Sequence, residues 1–168
     1  LDAAEAARAA DVAVLIVPVV LDADRQPDYR YMDPAVASIA PGVHTGSTVI
    51  FETTLPIGDT RRRFAPALER VSGLVADRDF FVAFSPERLF SGAVLANLAA
   101  YPKLVGGVGA ASTDRAARFY ASVLDAEVVA MSSSEAAEFS KLADTTYRDV
   151  NIALANEFAR AADAHGID

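Results

Sequence analysis

Short apolar runs rich in valine return five times along the chain, and helical patterns separate them. The runs are Val12–Val20, Ser47–Phe51, Phe80–Phe84, Lys103–Val108 and Glu127–Met131. Each is nearly continuous rather than alternating, the pattern of a strand buried on both faces of a parallel sheet. Between them lie helical stretches over Asp33–Ile39, with Pro34 in the first turn, Thr60–Val71, and Thr113–Leu124, opened by a Ser112/Thr113 cap. This alternation predicts an α/β domain assembled from right-handed crossover units. The alanine-rich stretch Leu1–Ala10 has no start signal of its own and reads as the tail of a helix.

The pattern changes after Met131. From Ser132 to about His165 one helix is predicted, on the order of 50 Å long, with Ser132, Ser133 and Ser134 as N-cap candidates and Gly166 as the C′ residue. Phe139, Leu142, Thr146, Val150, Ala153, Leu154 and Phe158 spread over a broad apolar arc, so the helix is expected to pack on several sides. The reading is therefore a sheet domain over 1–131 followed by a long helix over 132–168.

Composition excludes several function classes. A net charge of −8 and a single short basic run, Arg61–Arg63, argue against a nucleic-acid binder, since phosphates would be repelled. That run reads as a solvated helix start more readily than as a phosphate site. No cysteine is present, so disulfides, thiolate metal sites and a thiol nucleophile are absent from this chain, and His44 and His165 have no metal-ligand spacing. The longest apolar run, Val12–Leu21, is too short for a bilayer and contains Pro18. The chain reads as soluble and cytoplasmic.

Ligands of open parallel sheets bind beyond the carboxyl ends of the strands. Three such ends carry polar chemistry or a turn: Val17-Pro18-Val19-Val20 with its following loop, Glu52-Thr53-Thr54-Leu55-Pro56-Ile57-Gly58, and Ser85-Pro86-Glu87-Arg88. On the long helix, Lys141, Thr145 and Arg148 fall within roughly 60° of one another, a cationic stripe opposite the apolar arc. An anionic or strongly polar ligand would satisfy it, and so would structural pairs with Glu138 or Asp144.

Four segments in order carry a resemblance. ETTLPIGDT, FSPERLFSG, KLVGGV and EAAEFSKLADTTYRDVNIALANE resemble segments of the NAD-dependent nucleotide-sugar 6-dehydrogenases, from about Asp11 to Asp168. The PER triplet with Gly92 four residues after Arg88, together with RDVNIALANE, is closer to the UDP-N-acetylhexosamine branch, which acts on UDP-N-acetylmannosamine or UDP-N-acetylglucosamine, than to UDP-glucose dehydrogenase. The resemblance implies a Rossmann-like NAD-binding domain leading into a central helix that forms a homodimer, and a UDP-sugar as substrate. It implies oxidation of a primary alcohol through an aldehyde to a carboxylate, with two NAD reduced, in the synthesis of polysaccharide precursors. Thr54 and Glu87 would hold water and assist proton transfer at the sugar C6, and Lys141, with Thr145 one turn on, would stabilise negative charge on its oxygen. Arg88, Arg148 and Asn151 would lie on the substrate side, and Val17, Pro18 and Thr54 toward the cofactor.

The chain departs from the family pattern in four places. Thr145 replaces an asparagine, Val17-Pro18-Val19-Val20 replaces VPTP, and neither the G-x-G-x-x-G fingerprint nor the catalytic cysteine occurs. Both missing elements belong outside the matched span, so an internal fragment, inactive alone, is expected. Two other readings stand beside it: a hydroxyacid dehydrogenase with a K-x-x-N helix and single-step hydride transfer, and a non-catalytic nucleotide-binding domain. The SPER and RDVNIALANE segments disfavour the first of these.

Overall fold

A computed structural model describes residues 2–87 and 101–168. Helix α1 (Ala3–Ala9) has, against expectation, a start signal of its own, the Asp2 carboxylate accepting the Ala4 N–H at 2.9 Å, and strand β1 (Val12–Leu15) follows it. A two-stranded antiparallel ribbon follows, β2 (Val20–Leu21) with β3 (Pro27–Asp28), then α2 (Met32–Ile39) and β4 (Thr48–Phe51). Residues Thr60–Phe64 form one wide π-type turn that runs into α3 (Ala65–Ser72). Next are β5 (Phe81–Phe84), β6 (Lys103–Gly107), α4 (Ala110–Val123), β7 (Val128–Ala130) and α5 (Ser134–Ala164).

The five main strands form one sheet in the order β1-β4-β5-β6-β7. Its central strands are buried on both faces, and their side chains alternate between two cores. Val49, Phe51, Val82 and Phe84 pack with Met32 and Val36 of α2 and with Phe64 and Leu68. Phe51 and Phe64 stack at 4.8 Å with both side chains fully buried, each stabilising the fold by about 1.5–3 kcal/mol. On the opposite face Ile50, Ala83 and Val105 meet Ala116 and Tyr120 of α4.

Three further expectations are corrected. The sheet is mixed: β1, β4 and β5 are parallel, but β6 runs antiparallel to β5, with Phe84 opposite Gly106, and β7 is parallel to β6. Apolar runs record burial and carry no sign of direction, so the reversal leaves no trace in them. The run Val12–Val20 is not one strand, since β1 ends at Leu15 and Val20 pairs instead with Asp28 in the ribbon. Ser112 and Thr113 do not cap α4, which starts at Ala110. They are buried: Ser112 Oγ accepts the Val82 N–H at 3.1 Å and Thr113 Oγ1 accepts the Gly107 N–H at 2.9 Å, tying the helix to two strands.

The long helix forms as one piece of 31 residues, about 46 Å at 1.5 Å per residue. Ser133 caps it by accepting the Ala136 N–H, and Gly166, at φ 65°, follows the C-cap residue His165 in the left-handed conformation. Its start is buried at Ser134, Ala137 and Glu138. Within the single chain the expected packing on several sides stops there, because every residue from 146 to 161 is exposed.

Candidate functional site

The carboxyl ends of β1, β4 and β5 open onto a cleft of about 180 Å³ lined by Ile16, Glu52, Thr53, Thr54, Glu87 and Lys141. Thr53 and Thr54 lie two and three residues after β4 and Glu87 three residues after β5, so both segments emerge at the same edge because those strands are parallel. Lys141 comes from the second turn of α5, 54 residues away in sequence from Glu87. Its Nζ donates to the Glu87 carbonyl oxygen at 2.5 Å. Thr54, Glu87 and Lys141, expected from separate segments, thus meet in one cleft.

Two carboxylates absent from the expected site hold this arrangement. Glu138, fully buried one turn before Lys141, accepts the N–H groups of Gly58 at 2.5 Å and Thr60 at 2.9 Å. Gly58 sits at φ 94°, a conformation that favours glycine, and it turns its N–H toward that carboxylate. Burial pushes the Glu138 carboxyl up from its ordinary range, while the two N–H groups oppose the shift. The second carboxylate is Glu52, the first residue past β4. Its Oε1 accepts from Lys103 Nζ and from the Tyr120 hydroxyl, each at 2.5 Å. Burial first, and then the Glu52 charge, raise the Tyr120 hydroxyl above its ordinary value, so it remains a donor. The signal for Glu138 was its position three residues before Lys141, one turn away on the same helix. Nothing in the spacing pointed to Glu52 with Lys103 and Tyr120, which pair only once β6 is reversed.

The remaining expected residues fall elsewhere. Thr145 does not line the cleft. Its hydroxyl donates back to the helix carbonyls of Lys141 at 2.9 Å and Leu142 at 3.1 Å. It lines a neighbouring open groove with Thr146, Arg148, Asp149 and Ile152. Asn151 Nδ2 donates to Tyr147 O at 2.7 Å on its own exposed helix. Val17 packs against the core, Pro18 is exposed, and the apolar wall of the cleft is Ile16 instead. Arg88 lies outside the described residues. The basic run is exposed at the helix start, as expected, and its charges are also paired: Arg61 with Glu135 at 2.6 Å, Arg62 donating to Ile57 O, and Arg63 with Asp33 at 2.6 Å while stacking 3.7 Å over Tyr29. Arg61 also holds the Glu135 carboxyl down to about 2.

Known proteins match the chain along its whole length. The NAD binding domain model of the UDP-glucose/GDP-mannose dehydrogenase family matches residues 1–124, and the central domain model of the same family matches 135–168. The chain belongs to this family. The UDP-N-acetyl-D-mannosamine dehydrogenase of Pyrococcus horikoshii is 35% identical over 167 residues, covering 99% of this chain. That of Methanocaldococcus jannaschii is 35% identical over 162 residues, covering 95% of it. The chain spans 39% and 36% of the lengths of these two relatives. The solved structure of the Pyrococcus horikoshii dehydrogenase superposes with a TM-score of 0.89 at 35% identity, covering 98% of this chain and 38% of that one. Among the described residues no helix is long and apolar enough to cross a membrane.

Proposed function

We propose that this chain is part of a cytoplasmic NAD-dependent nucleotide-sugar 6-dehydrogenase that oxidises a UDP-N-acetylhexosamine to the uronic acid for polysaccharide synthesis. The observation that carries the reading is the meeting of Thr54, Glu87 and Lys141 in one cleft from three separate segments. Lys141 brings an ammonium already held at one carbonyl, so it can stabilise charge developing on the C6 oxygen with little reorganisation. Thr54 and Glu87 hold the water and take or return the proton at that oxygen. The names of the similar dehydrogenases support the N-acetylhexosamine substrate.

The cofactor side of the cleft suits a flat, partly apolar ring. Ile16 is 72% exposed yet lines a polar cleft beside Thr53 and Thr54, an apolar wall in want of a cover. Ile16, the neighbouring Val17 and Pro18, and Thr54 would flank NAD, which supplies the hydride acceptor when bound. The thiol needed for the aldehyde stage has no source in this chain and belongs to the rest of the protein. Arg88, Arg148 and Asn151 bind the substrate in the assembled enzyme, and Thr145 serves with Lys141. Residues 1–131 form part of the NAD-binding domain, and 132–168 the helix through which two copies pair. That pairing is supported by the exposed apolar side chains Val150, Leu154 and Phe158.

The test is Lys141→Ala in the full-length protein. We expect kcat for UDP-N-acetylmannosamine to fall by about 10²–10³-fold with KM little changed, because the ammonium acts on charge present only in the transition state. Normal turnover by this variant would remove Lys141 from the reaction.

A further inference from the structure

Glu52, which lines the cleft, belongs to an ionic cluster with no role in the chemistry just proposed. Glu52 and Lys103 form an ion pair at 2.5 Å, and their side chains are only 16% and 11% exposed. The Lys103 ammonium also lies 4.6 Å from the centre of the Tyr120 ring. Placing two charges this deep costs solvation, which a purely stabilising contact could avoid by using apolar groups of the same size. The location is also unusual. Because β6 runs against β5, its first residue, Lys103, projects beyond the carboxyl ends of the parallel strands, where the cleft opens. A parallel β6 would have put this cation at the opposite edge of the sheet.

Glu52 is the node at which these elements meet. Its N–H donates to Leu15 O at 3.0 Å, joining the end of β1, and its carbonyl accepts the Glu87 N–H at 3.3 Å, joining the segment after β5. Its side chain holds β6 through Lys103 and α4 through Tyr120. Thr54 is two residues further along the same backbone, and the Glu87 carbonyl in turn accepts from Lys141 Nζ. One residue therefore touches the backbone course of Thr54, the placement of Glu87 and, through Glu87, the ammonium of Lys141.

We propose that Glu52, held by Lys103 and Tyr120, is a positioning residue that sets Thr54, Glu87 and Lys141 in register for the reaction. The proposal rests on the dehydrogenase reading for its kinetic consequence but not for its geometric one. Removing one partner leaves an unpaired buried charge and destabilises the fold, whereas removing both relieves that penalty. A positioning role and a merely stabilising one therefore part company in a double variant.

The experiment compares Glu52→Gln with Glu52→Gln/Lys103→Met in the full-length protein. Glu52→Gln is expected to lower kcat at least about tenfold with KM within about threefold, and the double variant to regain thermal stability while kcat stays low. Recovery of kcat together with stability would reduce the cluster to structural support and overturn the proposal. Competitive acetylation of Lys141, read by mass spectrometry, needs no substrate. Its rate is expected to rise at least about threefold in both variants as the Glu87 carbonyl shifts away from the ammonium, and an unchanged rate would equally overturn the proposal. Should the unsubstituted protein oxidise no UDP-sugar, the dehydrogenase reading fails by itself, and the acetylation result still decides whether Glu52 positions Lys141.

Discussion

The opening turns of α5 and the remainder of that helix belong to one continuous element, yet they live in different surroundings. Near the start, Ala137 and Glu138 are buried, and Lys141 reaches into the cleft. Further on, Tyr147 is 73% exposed and Phe158 66%. The apolar residues continue along the helix after the contacts that would justify them have stopped. Hydrophobic periodicity thus reports that a face is to be buried, without reporting whether the covering surface comes from the same chain.

The sharpest break in this comparison should come at Glu138. Glu138→Ala would leave the Gly58 and Thr60 N–H groups buried without an acceptor, and we expect a loss of about 3 kcal/mol in urea unfolding. A loss below about 1 kcal/mol would mean that the helix start docks by apolar packing alone. The exposed half should respond in the opposite way. Leu154→Ser/Phe158→Ser should change the unfolding free energy of a monomer by no more than about 0.5 kcal/mol per site, while sedimentation velocity of the full-length protein shows the proposed dimer dissociating. A dimer unaffected by both changes would place the interface elsewhere.

A smaller effect separates two carboxylates on the docked half. Arg61 depresses Glu135 from 4.5 to about 2, so its contribution to stability is present above its ordinary value and is lost as pH falls from about 4.5 toward 2. Glu138 is shifted upward by burial, so its titration has the opposite sign, favouring the fold on the acid side and less so as pH rises through its raised value. Glu135→Gln should therefore cost about 1 kcal/mol or less near neutrality, a modest figure for a partly solvated pair. That cost should vanish in acid unfolding curves near pH 2, and a pH-independent difference would contradict the assignment to the Arg61 pair. The smallest effect is expected at Thr145, whose hydroxyl is already given to its own helix. Thr145→Asn should raise kcat modestly or leave it unchanged, and a fall of about tenfold would show that the hydroxyl matters.

Much of this architecture could be read from the residues. Continuous apolar runs located four of the five sheet strands closely, and the unbroken stretch after Met131 forms the single helix expected of it, because both patterns record burial and local propensity. The cleft was legible in part: Thr54, Glu87 and Lys141 stand in family-like segments and line one cleft, whereas Thr145 turns back to its helix. Strand direction was not legible, since Lys103–Val108 reads alike in either sense. With it went the Glu52–Lys103–Tyr120 cluster, whose members are 51 and 68 residues from Glu52 and come together only through the reversal. Ser112 and Thr113 were misread for a related reason: a hydroxyl near a helix start looks like a cap, and only the packed strand reveals that it serves Val82 and Gly107.

The carboxylate of Glu138 acts on α5 as a key acts in a keyway. By gripping two fixed N–H groups it sets the angular phase of the helix about its axis, and each residue beyond it inherits that phase in steps of about 100°. Lys141, three steps later, faces the cleft for this reason. A single residue inserted between Glu138 and Lys141 would leave the helix intact and its docking bonds in place, yet swing the ammonium about 100° away from Glu87.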